Sequence, residues 1–293
     1  MKTDITGIPE RRKKRNIKKT ILTIIKYIVV ITGAICMVLP FFWLISSSLM
    51  TSQELMADTP RWFPEVPQWN NYVEVPKRVP ILKYYKNSLI TAGIATLLVL
   101  ITSSLSGYAF AKIKFKGRKF VFRFVLSTMM FPVFIFLIPN YYLMKQLGWL
   151  TNYMSLIIPF AVSGYGIFLI RQFVMSIPDE LLDSARIDGA GEMRIYMKIV
   201  LPILKPAMAT LATLTFIGLW NSFLWPLIIT SSVQDLMTLP VGVSRLSVAF
   251  STSENQHLIL AGLVYQVVPM VILFLYLQKN YIKGFVLSGF GNL

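Results

Sequence analysis

Cysteine, histidine and acidic residues are scarce in this chain, and each scarcity closes off a chemistry. Cys36 is the only cysteine and His257 the only histidine among 293 residues, so neither a disulfide framework nor a Cys/His metal cluster is available. Each has an ordinary reading, a small packed residue within a span and a polar residue at an interface. No G-x-x-x-x-G-K-[ST] segment occurs, so the chain does not hold a nucleotide as a P-loop ATPase does. The long apolar runs lack the Asp or Glu pairs that a proton- or sodium-coupled carrier uses. One surface histidine does not supply the nucleophile and base of a membrane-embedded enzyme. No repeat of 20–50 residues and no low-complexity segment divides the chain.

What is abundant is apolar. The chain is 55% hydrophobic and 14% charged, with a mean hydropathy of +0.62, and several runs reach the roughly 20 residues a helix needs to cross a bilayer. The expected fold is all-α, with six spans near residues 22–48, 88–111, 121–142, 154–174, 207–230 and 258–279. The net charge of +16 is distributed as a membrane protein's charge is. Arg11, Arg12, Lys13, Lys14, Arg15, Lys18 and Lys19 precede the first span, and Lys112, Lys114, Lys116, Arg118, Lys119 and Arg123 separate the second from the third. The intervening outer loop balances its basic residues with Glu54, Asp58, Glu65 and Glu74. The positive-inside rule then puts both termini in the cytoplasm, and the pattern argues against nucleic-acid binding. The first apolar run is too long for a cleaved signal and has no small-residue cleavage pattern, so it reads as an uncleaved span. The division is a basic tail over residues 1–20 and one membrane domain over 21–293.

Two outer loops stand out. Residues 50–87 carry Pro60, Pro64, Pro67, Pro76 and Pro80, which predict a mostly extended lid or contact surface. Residues 231–257 suit a short helix lying at the outer surface. Within the spans, Pro40, Pro132, Pro139, Pro159, Pro226 and Pro269 each remove a backbone hydrogen bond and create a place to bend, although membrane helices also carry proline without functional reason.

Between the fourth and fifth spans lies a polar segment, 176–206. Ser176 reads as a cap, with Pro178, Asp179 and Glu180 in the first turn of a helix running to about Asp188. Leu181, Leu182 and Ala185 share one side. Gly189 and Gly191 end the helix and permit a sharp bend, and a second helix from Met193 to Leu204 leads into the fifth span. The apolar side of this helix-bend-helix requires a protein cover. The alternative, a helix resting on the inner membrane surface, is disfavoured by Asp183 and Asp188, because that surface carries anionic lipid.

This segment resembles the E-A-A-x-x-x-G loop, followed by I-x-L-P, of permease subunits in binding-protein-dependent ABC transporters. Asp183 and Ser184 stand where the family usually has Glu and Ala, while Ala185, Gly189, Ile199, Leu201 and Pro202 match in register. The resemblance implies that 176–206, with Asp183, Ser184, Ala185, Asp188 and Gly189 at its centre, docks an ATPase subunit and converts nucleotide-driven closure into rocking of the spans. It further implies a homologous permease partner, two ATP-binding cassette subunits and an extracytoplasmic solute-binding protein, in a cytoplasmic membrane, with no cofactor or catalytic role for this chain.

The segment FIGLWNSFLWPLIIT at 216–230 resembles the fifth span of the carbohydrate-uptake group, the maltose and glycerol-phosphate type, especially its second permease. Asn87-Ser88, Phe115-Lys116-Gly117-Arg118, Thr238-Leu239-Pro240-Val241-Gly242 and the segment 279–284 support the likeness. It implies a sugar or oligosaccharide as the transported solute, with a non-sugar such as glycerol phosphate as the alternative and a secondary transporter as the rival class. An amide offers donors and acceptors for hydroxyls, and an indole offers an apolar face with one donor. Asn221 and Trp225, with Tyr165, are therefore candidates for the solute path. Asn221 can equally be a hydrogen-bonding tie between helices, and Trp220 and Trp225 can equally be packing residues or interfacial anchors.

Overall fold

A computed structural model describes residues 17–231, 233–249 and 255–289, so most of the basic tail lies outside the described residues. Among the described residues there is no strand. In chain order the α-helices are α1 (Ile17–Ser48), α2 (Ser52–Leu55), α3 (Asn70–Arg78), α4 (Ile81–Lys112), α5 (Arg118–Thr128), α6 (Leu137–Gln146), α7 (Met154–Ile157) and α8 (Gly164–Met175). They continue as α9 (Asp179–Ile187), α10 (Glu192–Ile195), α11 (Leu201–Ile203), α12 (Lys205–Trp220), α13 (Leu224–Thr230), α14 (Leu239–Ala249) and α15 (Gln256–Gly289).

Three helices are long and apolar enough to cross a membrane unaided: α1, α4 and α15. The number reaches six if each of three bent pairs counts as one span. The expected continuous span at 121–142 is instead a pair bent by 93°, Arg118–Thr128 and Val133–Gln146, broken at Pro132. The span at 154–174 bends by 42° between Phe160 and Gly164, where Pro159 sits in a 3₁₀ turn. Residues 207–230 are also divided, because Asn221, Ser222 and Phe223 separate α12 from α13. Proline removes a donor and crowds the preceding turn, and only neighbouring helices can keep such an opening satisfied in lipid.

The helix α4 is the axis of the molecule. Its face of Ala92, Ala95, Thr96, Ser103, Ser104 and Gly107 is buried, and these small residues let α8 and α12 approach closely. A Cβ on Gly107 would meet Ile170 Cγ2 at 2.7 Å, and one on Gly166 would meet Ser103 Oγ at 2.3 Å. Arg171 of α8 donates from Nε to the Phe110 carbonyl at 3.2 Å and lies 4.2 Å from the centre of the Phe122 ring, tying α8 to both α4 and α5. By contrast α1 exposes most of its apolar length and is held at its C-terminal end. There Ser48 Oγ meets Tyr72 Oη at 2.5 Å and Asn71 Nδ2 donates to the Ser48 and Met50 carbonyls at 2.9 and 3.1 Å.

The first outer loop departs from expectation. Residues 50–87 are not mostly extended: α2, α3 and the first turn of α4 occupy much of the segment. Pro60, Pro64 and Pro67 do keep their stretch non-helical, but Pro80 precedes the first turn of α4, where a missing N–H costs nothing. The second loop does hold a short helix, α14, and it is packed against the protein. Leu239, Val241, Val243 and Leu246 are buried in one apolar cluster with Tyr84, Trp220, Leu258 and Ala261. Asn87 secures the entry to α14, donating to the Asp235 and Met237 carbonyls at 2.9 and 2.8 Å and accepting from Tyr153 Oη at 2.6 Å. Ser88 Oγ accepts from Leu239 N at 2.8 Å.

Gly242 gives α14 its close seat, since a Cβ there would come within 2.0 Å of the Tyr84 ring. Gly242→Ala should therefore destabilise the folded chain by about 1–3 kcal/mol through overpacking. Thermal unfolding of the detergent-solubilised protein checks this, and an unchanged midpoint contradicts it.

Candidate functional site: the loop helix and the helix breaks

The segment between α8 and α12 forms the expected helix-bend-helix, with different details at its start. Ser176 does not cap α9; its hydroxyl donates to the Phe173 carbonyl at 2.7 Å and finishes α8. Pro178 occupies the cap position, and Asp179 and Glu180 lie in the first turn, where carboxylates suit the positive helix end. The helix ends at Ile187, followed by Asp188 and by Gly189 at φ +79°. Ala190 N donates to the Ala185 carbonyl at 2.9 Å and Gly189 N to the Arg186 carbonyl at 3.0 Å. This paired pattern is a Schellman motif, which needs a left-handed residue at the position Gly189 holds.

The second helix is interrupted in a way its prolines explain. A π turn spans Tyr196–Val200 just before Pro202, whose missing N–H leaves the normal ladder incomplete. Glu192–Ile203 then meets Lys205–Trp220 at 74°.

The apolar side of α9 is not the one expected. Leu182 is fully buried and Ala185 packs beside it, both against this chain's own Tyr108, Ile177, Ile195, Tyr196 and Val200. Leu181 is exposed. The outward apolar surface of the loop consists of Leu181, Ile187, Met193 and Met197, with Ile187 86% exposed. Helical spacing left Leu181 and Leu182 on one side, and only the packing of α9 on α4 and α8 separates them. Ile199 and Leu201 belong to the inner cluster, and Pro202 is exposed.

Charged groups fasten the loop. Lys112, at the end of α4, is nearly enclosed and donates to Asp179 Oδ1 at 2.6 Å and to the Ile177 carbonyl at 2.5 Å. Arg186 pairs with Asp183 at 2.6 Å and with Glu192 at 2.8 Å. The Arg186 guanidinium, and after it the Tyr108 hydroxyl, hold the Glu192 carboxyl below its ordinary range; the Lys112 ammonium does the same for Asp179. Asp183, Ser184 and Asp188 are exposed, and Ser184 Oγ turns back to the Leu181 carbonyl at 2.9 Å. Sequence reasoning gave Lys112 only a topological role and passed over Glu192, because the partners of each lie on other elements.

A second feature lies where the helices break. A groove of about 380 Å³ runs between the opening at Pro159–Ser163 and the C-terminal end of α12. Ser163, Tyr165, Thr215, Gly218 and Ser222 line it beside apolar side chains. Asn221 is exposed and adjoins Ser222, at the helix end rather than inside a continuous span. Trp225 is excluded from the groove. It is 4% exposed, donates from Nε1 to the Ser155 carbonyl at 2.9 Å, and packs with Met144, Leu156 and Ile229. Trp220 is likewise buried, with Nε1 toward the Gln266 carbonyl at 3.4 Å. Residue type left Trp225 open between a path and a packing role, and the burial of both indoles favours packing.

Comparison with known proteins places the chain among transport permeases. The arabinooligosaccharides transport system permease protein AraQ of Bacillus subtilis is 36% identical over 256 residues, covering 85% of this chain and 89% of that protein. The sn-glycerol-3-phosphate transport system permease protein UgpE of Yersinia pestis is 31% identical, covering 90% and 96%. In structure, a chain of a bacterial ABC transporter involved in the import of the acidic polysaccharide alginate superposes with a TM-score of 0.78 at 23% identity, covering 94% of this chain and 99% of that one. A second chain, from an alginate ABC transporter in complex with an alginate pentasaccharide-bound periplasmic protein, gives 0.64 at 16% identity. The model of the family described as binding-protein-dependent transport system inner membrane component matches residues 102–284, more than half the chain, and this chain belongs to that family.

Proposed function

We propose that this chain is the permease subunit of an ATP-driven importer that passes a sugar or oligosaccharide delivered by an extracytoplasmic binding protein. The observation that carries the reading is the polar loop from α9 through Val200, which is hydrogen-bonded to Lys112 and Tyr108 of α4 yet presents Leu181, Ile187, Met193 and Met197 outward. In lipid this loop has no place, and in water its apolar face requires a partner. The chain has no nucleotide-binding segment of its own, so an ATPase subunit is the fitting occupant, with a homologous permease completing the membrane part. The AraQ relative supports an oligosaccharide. The UgpE relative favours sn-glycerol-3-phosphate as the second reading.

The loop end of the molecule is the cytoplasmic one in this reading. Lys112, Lys114, Lys116, Arg118 and Lys119 collect there, while Glu54, Glu65, Glu74 and Asp235 mark the opposite end. Both termini are then cytoplasmic and the spans number six: α1, α4, the bent pairs Arg118–Thr128 with Val133–Gln146 and Met154–Phe160 with Gly164–Met175, α12 with α13, and α15, while Glu192–Ile203 stays in the loop. In a Cys36→Ser background, an impermeant thiol reagent should label Trp62→Cys in intact cells and leave Lys116→Cys unlabelled. Labelling at Lys116→Cys contradicts the orientation.

Gly189→Leu forces a side chain into the left-handed region, which costs about 1–2 kcal/mol locally, and redirects the chain entering α10. Co-purification of the ATPase subunits with the permease should fall severalfold, or uptake should be lost at normal assembly. Normal values of both refute the docking role.

The groove at the helix breaks is the proposed solute path, because openings in a span are tolerated where they line a cavity. Its hydroxyls at Ser163, Tyr165, Thr215 and Ser222 suit a polyhydroxylated solute, and the exposed Asn221 adjoins Ser222 in the chain. Tyr165→Ala or Asn221→Ala should lower uptake per assembled complex at least about threefold, an effect near 0.7 kcal/mol. Trp225→Ala should instead lower the amount of assembled complex, since it empties a core site and orphans the Ser155 carbonyl. The assignment fails if Tyr165→Ala and Asn221→Ala leave uptake per complex unchanged.

A further inference from the structure

The fourth helix reaches the loop through more than apolar contact. Tyr108 is 3% exposed, and its hydroxyl donates to Glu192 Oε2 at 2.5 Å. The other oxygen of the same carboxylate accepts from Arg186 Nε at 2.8 Å, and Arg186 Nη1 donates to Asp183 at 2.6 Å. One turn earlier on α4, Ser104 Oγ meets Tyr196 Oη at 2.8 Å, and the Tyr108 and Tyr196 rings lie 5.7 Å apart. One carboxylate thus bridges α4, α9 and the start of α10, across the Schellman bend that would otherwise be the loop's natural hinge.

We propose that Tyr108, Glu192 and Arg186 form a polar strut that locks the α9–α10 bend and makes the docking loop a rigid extension of α4. Tyr108 and Glu192 are then positioning residues for coupling, acting through the loop. The inference rests on the docking reading for its functional meaning, although the strut itself does not depend on which partner docks. Lys112 with Asp179 ties the N-terminal end of α9 to α4, and the Tyr108 strut ties its C-terminal end. A push on either end of α9 then reaches α4, and through the close α4–α8 and α4–α12 seams reaches both sides of the groove. Glu192 and Asp179 are both held below the ordinary carboxylate range, so their contribution is complete at neutral pH. It is lost as acid brings the pH down through their lowered values.

The test uses the assembled importer in lipid nanodiscs and follows amide hydrogen exchange in residues 183–195. Tyr108→Phe keeps the ring against Tyr196 and removes only the hydroxyl, so the variant is expected to assemble. Loop exchange should rise roughly tenfold, as for a lost hydrogen bond to a charged group, with α8 unaffected. Glu192→Ala should raise it at least as much, Glu192→Gln should recover part of the protection, and Tyr108→Phe should add nothing in the Glu192→Ala background. Unchanged exchange in Tyr108→Phe overturns the proposal, as does independent multiplication of the two effects. Cross-linking of Ile187→Cys to the ATPase subunit, in a Cys36→Ser background, reports separately on docking. Its absence overturns the docking reading while leaving the exchange result to decide the strut.

Discussion

The close approach of α8 and α12 to α4 is the contact on which the other features depend. Between helices in lipid there is little hydrophobic gain, so packing contact and hydrogen bonding must hold them together. Gly107 against Ile170 and Gly166 against Ser103 leave no room for a Cβ, and this closeness gives α4 a fixed place between its neighbours. With that axis in place, α8 can open at its N-terminal end and α12 at its C-terminal end without the backbone groups there being lost to hydrocarbon. Thr102, on α4, donates to the Ala161 carbonyl at 3.0 Å, across the opening that Pro159 begins. A tight seam therefore permits a broken helix beside it.

The same axis explains how the loop is fastened while carrying so many charges. Exposed ion pairs contribute little by themselves, and the Arg186–Asp183 pair is of that kind. Lys112 and Tyr108 differ because α4 holds them nearly out of water, where an unmet donor is costly. Their acceptors, Asp179, the Ile177 carbonyl and Glu192, all belong to the loop. The loop is consequently specified from α4 outward, and its exposed Leu181 and Ile187 are carried on a frame that does not need a partner to take shape.

How much of this was legible in the sequence follows from the range of each interaction. The helix Asp179–Ile187 and its glycine-ended turn were readable because a proline, first-turn acids and a left-handed glycine act within a few residues, although the expected Ser176 cap was not the one used. The long helices α1, α4 and α15 were readable because hydropathy sums over 20 positions. The breaks at Pro132 and Pro159 were named only among six candidate bends, since such prolines have equal standing in a sequence and differ only in what their neighbours satisfy. Leu181 and Leu182 were grouped together, and Trp225 was left open between a path and a packing role, both for one reason. Which neighbour covers a side chain is a tertiary fact, and Tyr84, Ser155 and Tyr196 are far away in the chain from the residues they cover.

Rigidity and opening are thus separated along one molecule. At the loop end, Lys112 and Tyr108 remove the freedom that the glycine-ended bend would otherwise give. At the level of Pro159, Ser163 and Asn221, proline and helix ends supply that freedom beside a groove of about 380 Å³. A displacement applied to a compliant loop would be spent on the loop. Applied to a stiff one, it passes along α4 until it reaches the first segment able to bend, and those segments are the ones whose backbone already departs from the helix. Under the proposed docking, a stiff tie and soft breaks at opposite ends of the same close-packed seam would let a change outside the membrane domain alter the width of a groove within it.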